Sequence, residues 1–210
     1  MTETNTQRRK PKQARSLQRY ETMLDAAEEL MLETGYDAMT TNAIAARAEV
    51  SIGSLYQYFP NKDALLSALA ERYIERRKAM NTRVLDQNVI AGLSLLELTD
   101  HWFDPLVAFY EENPAVLYIY LGADVSPEMA VAYADLDRES IATIHKIVQF
   151  RAPHLSEERA GLVAISIKAM IKALLGLMFN TPDSTRRGLI IAEFKQMLLA
   201  YMTTVETKPA

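Results

Sequence analysis

The stretch that decides the fold is TTNAIAARAEVSIGSLYQYFPNKDALL, residues 40–66. It holds two short helical segments separated by a tight turn. The pair Thr40 and Thr41 predicts the start of a first helix that ends near Ala48, and Ser51 predicts the start of a second. Hydroxyl side chains at these positions accept hydrogen bonds from the unpaired N–H groups of a first helical turn. The stretch therefore reads as a helix-turn-helix unit.

The apolar residues of this unit fit two helices that cross closely. Ala45 is small where the backbones approach, and Ile44, Val50 and Leu55 are placed to seal the core between the helices. The turn needs a positive φ at a position held here by Glu49, where glycine is usual. Glutamate adopts that conformation at an energetic cost, so we expect a positive φ at this residue.

The second helix of such a unit lies in the major groove of DNA, with its N-terminal residues against base edges. If Leu55 and Phe59 face inward, Gln57 can hydrogen-bond a base edge and Ile52 can pack on a thymine methyl group. Hydroxyl, amide and ammonium groups nearby suit phosphate oxygens. The candidate DNA contacts in this stretch are Thr41, Asn42, Ser51, Ile52, Gly53, Ser54, Tyr56, Gln57, Tyr58 and Lys62.

The same stretch resembles the DNA-binding signature of the TetR family of bacterial transcriptional regulators. The matching positions are, in order, Thr41, Ile44, Ala45, Ala48, Val50, Ser51, Gly53, Leu55, Tyr56, Phe59, Lys62 and Leu65. The resemblance by motif covers about the first third of the chain. It implies that the remaining helices form a ligand-binding and dimerising domain, which no motif identifies.

Charge is distributed unevenly along the chain. The 210 residues carry a formal net charge of -4, which argues against a protein that coats nucleic acid through bulk charge. The chain has no cysteine, which excludes disulfides and thiolate metal sites. The first twenty residues instead set one acid, Glu3, against six basic residues: Arg8, Arg9, Lys10, Lys12, Arg15 and Arg19. Residues 1–15 therefore predict a flexible basic arm that contacts DNA through Arg8 and Arg9. A solvated tail is the alternative.

Helical periodicity runs through almost the whole chain, and no segment shows convincing strand alternation. We predict an all-α fold of about nine helices in three parts: the arm 1–15, a DNA-binding domain 16–76 with its motif at 41–60, and a ligand-binding and dimerisation domain 77–205. Helix one should run from about Ser16 to Thr34 and stop at Gly35, and residues 88–92 read as a break. Helix starts are predicted at Asn61, Asn113-Pro114, Ser126-Pro127, Ser156 and Asp183.

Catalytic and membrane signals are weak. The three histidines lack metal-ligand spacing, and no nucleophile elbow, Walker loop or dinucleotide fingerprint is present. We expect no enzyme activity, metal or cofactor. The longest apolar stretch carries Lys168 and Lys172, so it predicts a packed helix rather than a membrane span, and we expect no membrane association. The absence of cysteine fits a reducing cytoplasm, where we expect the protein to be. These two lysines either hold a ligand carboxylate or form a solvated strip.

Aromatic residues concentrate in the central helices, and tyrosine and tryptophan keep a polar tip inside an apolar site. They suit a mostly apolar ligand cavity with a few orienting groups, although packing of the core alone explains each of them as well. The candidate ligand-binding residues are Trp102, Phe103, Phe109, Tyr110, Tyr118, Tyr133, His145 and Met170.

The last two long helices each carry more than one apolar face, which predicts two packing partners. We interpret the second partner as the same helices of another copy, in a four-helix dimer interface; a monomeric bundle is the alternative. The candidate interface residues are Ile165, Ala169, Ala173, Gly176, Ile190, Phe194, Leu198 and Tyr201.

The combined prediction is a homodimeric repressor that binds double-stranded operator DNA and is released by a small, largely apolar effector. The alternative is an all-helical interaction protein or enzyme whose helix-turn-helix is only a packing unit.

Overall fold

The structure is a computed structural model that describes residues 13–84, 86–122 and 127–207, and these residues contain helices and no strand. Arg8, Arg9 and Ser126 lie outside the described residues. The helices are α1 (Ala14–Ala38), α2 (Thr41–Arg47), α3 (Ile52–Tyr58), α4 (Lys62–Val84), α5 (Gln87–Ile90), α6 (Leu95–Glu112), α7 (Ala115–Gly122), α8 (Pro127–Arg151), α9 (Glu157–Phe179) and α10 (Ser184–Glu206). The predicted all-α fold is confirmed.

The first helix is interrupted at the glycine where its end was predicted. Gly35 has φ 79°, which interrupts α1 before a last short turn that reaches Ala38. The apolar residues along one face of this helix are buried: Met23, Leu24, Ala27, Leu30 and Met31. Its residues recur three and four apart, so they share one face of the helix.

The side-chain caps predicted from sequence form as expected. Five cap oxygens accept from the backbone N–H three residues later, at 2.6–3.2 Å. These cap residues are Thr40, Ser51, Asn61, Ser156 and Asp183. Each satisfies a donor that the helix itself leaves unpaired.

The segment between α4 and α6 differs from prediction. Residues 88–92 were expected to be a break, but Gln87–Ile90 forms one helical turn, α5. The next helix begins at Leu95, where Ser94 and Glu97 form a reciprocal capping box that sequence analysis missed. Pro105 lies inside this helix.

The helices gather into two compact units. The N-terminal unit comprises Met1–Tyr73 and Pro114–Tyr133, and the C-terminal unit comprises Ile74–Asn113 and Ala134–Ala210. Helix α7 joins the N-terminal unit through contacts with α1, while α10 packs on α6 and α9 in the C-terminal unit. Helices α4 and α8 each contribute residues to both units.

Among the described helices, α9 is long and apolar enough to cross a membrane by length and composition, and 39% of its most apolar window is buried. A core helix of a soluble protein meets the same criterion, so this is weak evidence for a membrane span. Lys168 and Lys172 are half-buried on this helix.

Candidate nucleic-acid interface

Helices α2 and α3 form the predicted helix-turn-helix. Ile44, Ala45 and Leu55 are at most 3% exposed and fill the space between the two helices, while Val50 is half-buried at its edge. The turn places Glu49 at φ 54°, the sole positive φ of a non-glycine residue in the described part of the chain. The positive φ expected at this residue is confirmed.

The outward face of α3 is open to solvent. Tyr56 is 46% exposed and Ile52 is 37% exposed, and the Tyr56 hydroxyl lies 3.2 Å from Thr41 Oγ1. The predicted contact residues that are exposed are Asn42, Ser51, Ile52, Gly53, Tyr56 and Gln57. These side chains and the Gly53 backbone form a mixed polar and apolar surface that we call the α3 face.

Two other predicted contacts are bound to α1. The Tyr58 hydroxyl lies 2.8 Å from Ser16 Oγ. Lys62 Nζ donates to the Tyr36 carbonyl oxygen at 3.0 Å and sits 4.0 Å from the centroid of the Tyr36 ring. Both side chains are half-buried, and they position α3 and α4 against α1. Their phosphate contacts remain predictions.

A buried ion cluster fastens α4 to α1, and sequence analysis missed it. The Arg72 side chain is 6% exposed, and its guanidinium donates to Asp25 Oδ1 at 2.6 Å, pairs with Glu28 and lies 3.5 Å from Glu21. Burial alone would lower the pKa of Arg72, but the Glu28 and Asp25 carboxylates raise it overall. The three acids recur four and three residues apart, which is a visible signal of one charged helix face.

A second, solvent-exposed cluster joins α2 to α1. Arg47 donates to Glu33 at 2.7 and 3.0 Å and to Glu29 at 3.1 Å. The hydrogen bond from Arg47 lowers the pKa of Glu33, and the bond to Glu33 raises the pKa of Arg47. Arg47 thus ties α2 of the helix-turn-helix to α1, and Arg72 ties α4 to the same helix.

Each of two cavities formed by described residues is lined by one of the predicted ligand residues. A cavity of about 40 Å³ in the C-terminal unit is lined by Leu95, Leu98, Thr99, Trp102, Ile144, Ile147, Val148, Ile167, Leu198 and Met202. Of the predicted set it includes Trp102. Phe109 instead lines an open groove between α4 and α6, and Tyr118 and Tyr133 belong to the N-terminal unit.

The remaining members of that set have other surroundings. Phe103 and Tyr110 are buried, and the Tyr110 hydroxyl accepts from Arg77 at 3.4 Å. His145 Nε2 lies 3.4 Å from Glu157 Oε1. Met170 is half-buried.

Lys168 forms an ion pair with Asp137 of α8. Burial raises the pKa of Asp137, while Lys172 and Arg77 act in the opposite direction. The lysine pair of α9 thus faces a carboxylate of the same chain, rather than forming a freely solvated strip.

The predicted interface residues of α9 face outward. Ile165 is 51% exposed, Ala169 and Ala173 are exposed, and Gly176 is half-buried. On α10, the half-buried members are Ile190, Phe194 and Tyr201. Leu198 departs from the prediction, because it is 6% exposed and lines the cavity inside its own chain.

A helix-turn-helix that packs on α1 and leaves its second helix open to solvent, followed by a further helical unit, is typical of helix-turn-helix regulators. The chain belongs to the TetR family. Residues 23–69 match the family described as "Bacterial regulatory proteins, tetR family", and residues 94–202 match "Tetracyclin repressor-like, C-terminal domain". The second match alone spans half of the chain, and the resemblance predicted from the motif is confirmed.

Two of the similar curated proteins are named transcriptional repressors. The HTH-type transcriptional repressor KstR of Mycobacterium tuberculosis is 31% identical over 113 residues, covering 52% of this chain and 50% of that protein. KstR of Mycolicibacterium smegmatis is 39% identical over 113 residues, covering 52% and 53%. This chain spans about half the length of these curated relatives.

Solved structures extend the likeness of fold over nearly the whole chain. A TetR-family regulator from Streptomyces coelicolor has a TM-score of 0.63 and 27% identity, covering 89% of this chain and 99% of that chain. A putative TetR-family regulator from Syntrophomonas wolfei has a TM-score of 0.70 at 16% identity, covering 92% and 97%.

Proposed function

We propose that this protein is a sequence-specific transcriptional repressor that binds operator DNA as a homodimer and is released by a small, largely apolar effector. The observation that carries the proposal is the open α3 face on a helix-turn-helix that ion pairs join to α1. Ile52 is an aliphatic side chain left 37% exposed at the start of this helix. The first turn of a recognition helix is where base edges are read.

The polar groups around α3 support the same assignment. Gln57 is exposed and offers both a donor and an acceptor to a base edge. The paired hydroxyls of Tyr56 and Thr41 suit a phosphate oxygen. The KstR relatives are named repressors, which favours repression over activation.

Dimerisation is supported by apolar side chains left exposed on α9 and α10. Leu162 and Ile165 are each 51% exposed, Leu177 is 49% exposed, Leu189 is 66% exposed and Met197 is 50% exposed. Exposed apolar surface of this kind marks interaction sites. A twofold dimer also supplies the two recognition helices that a palindromic operator needs.

Release by an effector requires that the ligand bind a DNA-incompetent geometry more tightly than the competent one. Helix α4 begins at Lys62 beside the helix-turn-helix and continues to Val84 in the C-terminal unit. A ligand that shifts this helix would change the separation of the two α3 faces, which must fit half-sites about 34–36 Å apart.

A mobility-shift assay with the DNA upstream of the protein's own coding sequence tests the proposal. Gly53→Glu is a sharp negative variant, because a Cβ at Gly53 meets nothing within 4 Å and the new carboxylate would face the phosphates. Ala142→Glu, at an exposed position of α8, is the matched control. We expect a specific shift for wild type and Ala142→Glu, and at least about tenfold weaker binding for Gly53→Glu.

The competing function is a helical interaction protein in which the helix-turn-helix only packs. It predicts no specific shift for any of the three proteins. That result would refute the proposal that this protein is a repressor.

A further inference from the structure

The first two turns of α1 carry two arginines, Arg15 and Arg19, that form no ion pair with a described residue. Both are exposed, and they lie one turn apart on the same side of the helix. Arg15 was predicted to belong to a flexible arm, but it lies in the first turn of α1. The other described arginines of the N-terminal unit, Arg47 and Arg72, are paired with acids of α1. Arg15 and Arg19 thus keep positive charges that no described acid neutralises.

Contacts of the neighbouring residues show where these arginines lie relative to α3. Ser16 Oγ is 2.8 Å from the hydroxyl of Tyr58, and the ring centroid of Tyr20 is 6.3 Å from that of Tyr58. Tyr58 is the last residue of α3. Each arginine directly precedes one of the two α1 residues that make these contacts, and successive side chains leave a helix about 100° apart. The two guanidinium groups therefore border the place where α1 meets the end of α3.

The charge of α1 changes sign along the helix. Its two basic residues lie in the first two turns, and all of its acids follow them: Glu21, Asp25, Glu28, Glu29, Glu33 and Asp37. A polyanion is attracted to the first part of this helix and repelled by the rest. The end of α1 that touches α3 is thus the end at which this charge pattern admits a DNA backbone.

We propose that Arg15 and Arg19 bind phosphates of the DNA strand that passes the end of α3, as a second contact surface beside the α3 face. The proposal rests on the proposed function, because it extends the DNA interface. A guanidinium binds phosphate oxygens through two parallel hydrogen bonds. Phosphate contacts carry no sequence information, so these arginines fix the position of the helix-turn-helix on the duplex and strengthen binding to any sequence.

The dependence of DNA affinity on salt concentration tests the proposal. The slope of log affinity against log salt becomes shallower by about 0.9 for each phosphate contact that is lost. The double variant Arg15→Gln and Arg19→Gln should therefore reduce the slope by about 2 for each protomer bound to DNA. Its affinity at about 0.1 M salt should fall at least about tenfold.

Two matched double variants separate charge from fold. Arg15→Lys with Arg19→Lys keeps both charges and should leave the slope within about 1 of wild type. Arg138→Gln with Arg159→Gln removes the same charge from exposed positions of the C-terminal unit and should not change the slope.

Two DNA probes are used: the upstream DNA of the mobility-shift assay and a duplex of equal length and arbitrary sequence. The glutamine double variant should give a shallower slope on both probes. Ethylation of single phosphates in the upstream DNA then locates the contacts. Some phosphates whose ethylation blocks the wild-type protein should have no effect on the glutamine variant.

A slope that the glutamine double variant leaves unchanged, or that the lysine double variant does not restore, would overturn the proposal. The arbitrary duplex requires no operator. A shallower slope on that duplex without a specific shift on the upstream DNA therefore refutes the operator-binding repressor and not the phosphate contacts. A specific shift with an unchanged slope refutes the phosphate contacts alone.

Discussion

At the scale of single residues, Gln57 is the side chain on which base readout depends in the proposed complex. It is exposed on α3, two residues beyond buried Leu55. Gln57→Ala should relax base preference at one half-site position by about 1–3 kcal/mol. Tyr56→Phe should instead weaken all DNA sequences similarly, because a phosphate contact carries no sequence information.

Binding to an operator library, with one position varied at a time, measures both effects. Gln18→Ala, at an exposed position of α1, is the control for removing a glutamine from the protein surface. A Gln57→Ala protein that keeps the wild-type base preference would show that this residue does not read DNA.

Glu49 stores a measurable conformational cost in the turn. Its φ of 54° costs an L-residue roughly 1–2 kcal/mol, whereas glycine adopts it freely but loses about 0.5–1 kcal/mol more chain entropy on folding. We expect Glu49→Gly to raise the free energy of unfolding by up to about 1 kcal/mol. Glu49→Val should lower it, since a β-branched residue fits this φ worst.

Urea denaturation measures the free energy of unfolding of these variants, which can be compared if their m-values are equal. Glu49→Asn should have a free energy of unfolding equal to or slightly above that of wild type, because asparagine tolerates positive φ. If Glu49→Gly is the least stable of the series, the turn does not carry the strain we assign to it.

At the scale of elements, α1 acts as the acidic support on which α2 and α4 are fixed. Arg72 is buried among three α1 carboxylates, whereas Arg47 is 35% exposed and its partners are more than half exposed. Removing a buried charge leaves its partners uncompensated, while an exposed pair is screened by water. The two arginines therefore bind the same helix with unequal contributions to stability.

Arg72→Met should lower the free energy of unfolding by about 2–3 kcal/mol, less than a fully buried pair because Asp25 is largely exposed. Arg47→Met should have a much smaller effect. Thermal and urea unfolding of both variants measure the difference. Equal losses would mean that burial of Arg72 does not determine the strength of this junction.

At the scale of the whole molecule, α9 turns a small-residue face outward while its other face packs inside the chain. Ala173→Glu should disrupt dimers and reduce operator affinity about 100-fold or more, because the two half-sites are then bound independently. Ala142→Glu adds the same charge at another exposed position and should leave the dimer intact. Sedimentation at micromolar concentration measures whether each protein is a monomer or a dimer. A monomeric wild type would refute the proposed dimer interface.

Effector and operator DNA must also weaken each other's binding to the protein by the same factor. A coupling of about 1–3 kcal/mol would weaken operator binding about 5- to 150-fold, and operator DNA would weaken effector binding equally. Titrating an effector that releases the protein from DNA, with and without operator present, measures both factors. Equal effector affinities in the two titrations would rule out this form of switching.

The sequence by itself determined the local architecture. Caps at Thr40, Ser51 and Ser156, the stop at Gly35 and the strained turn at Glu49 are set by hydrogen bonds and backbone sterics within a few residues. Because these interactions are short-range, residue types at fixed spacing were enough to predict the helix-turn-helix and its family.

Only the tertiary structure decided which side chains meet across the chain. Lys62 binds the carbonyl of a residue 26 positions earlier, and Arg72 pairs with an acid 44 positions earlier. Helical periodicity gives α10 several apolar faces but does not say which one packs inside, so Leu198 was placed on the wrong side. The central aromatic residues are likewise similar in type but have different neighbours, because the fold decides which side chains pack together.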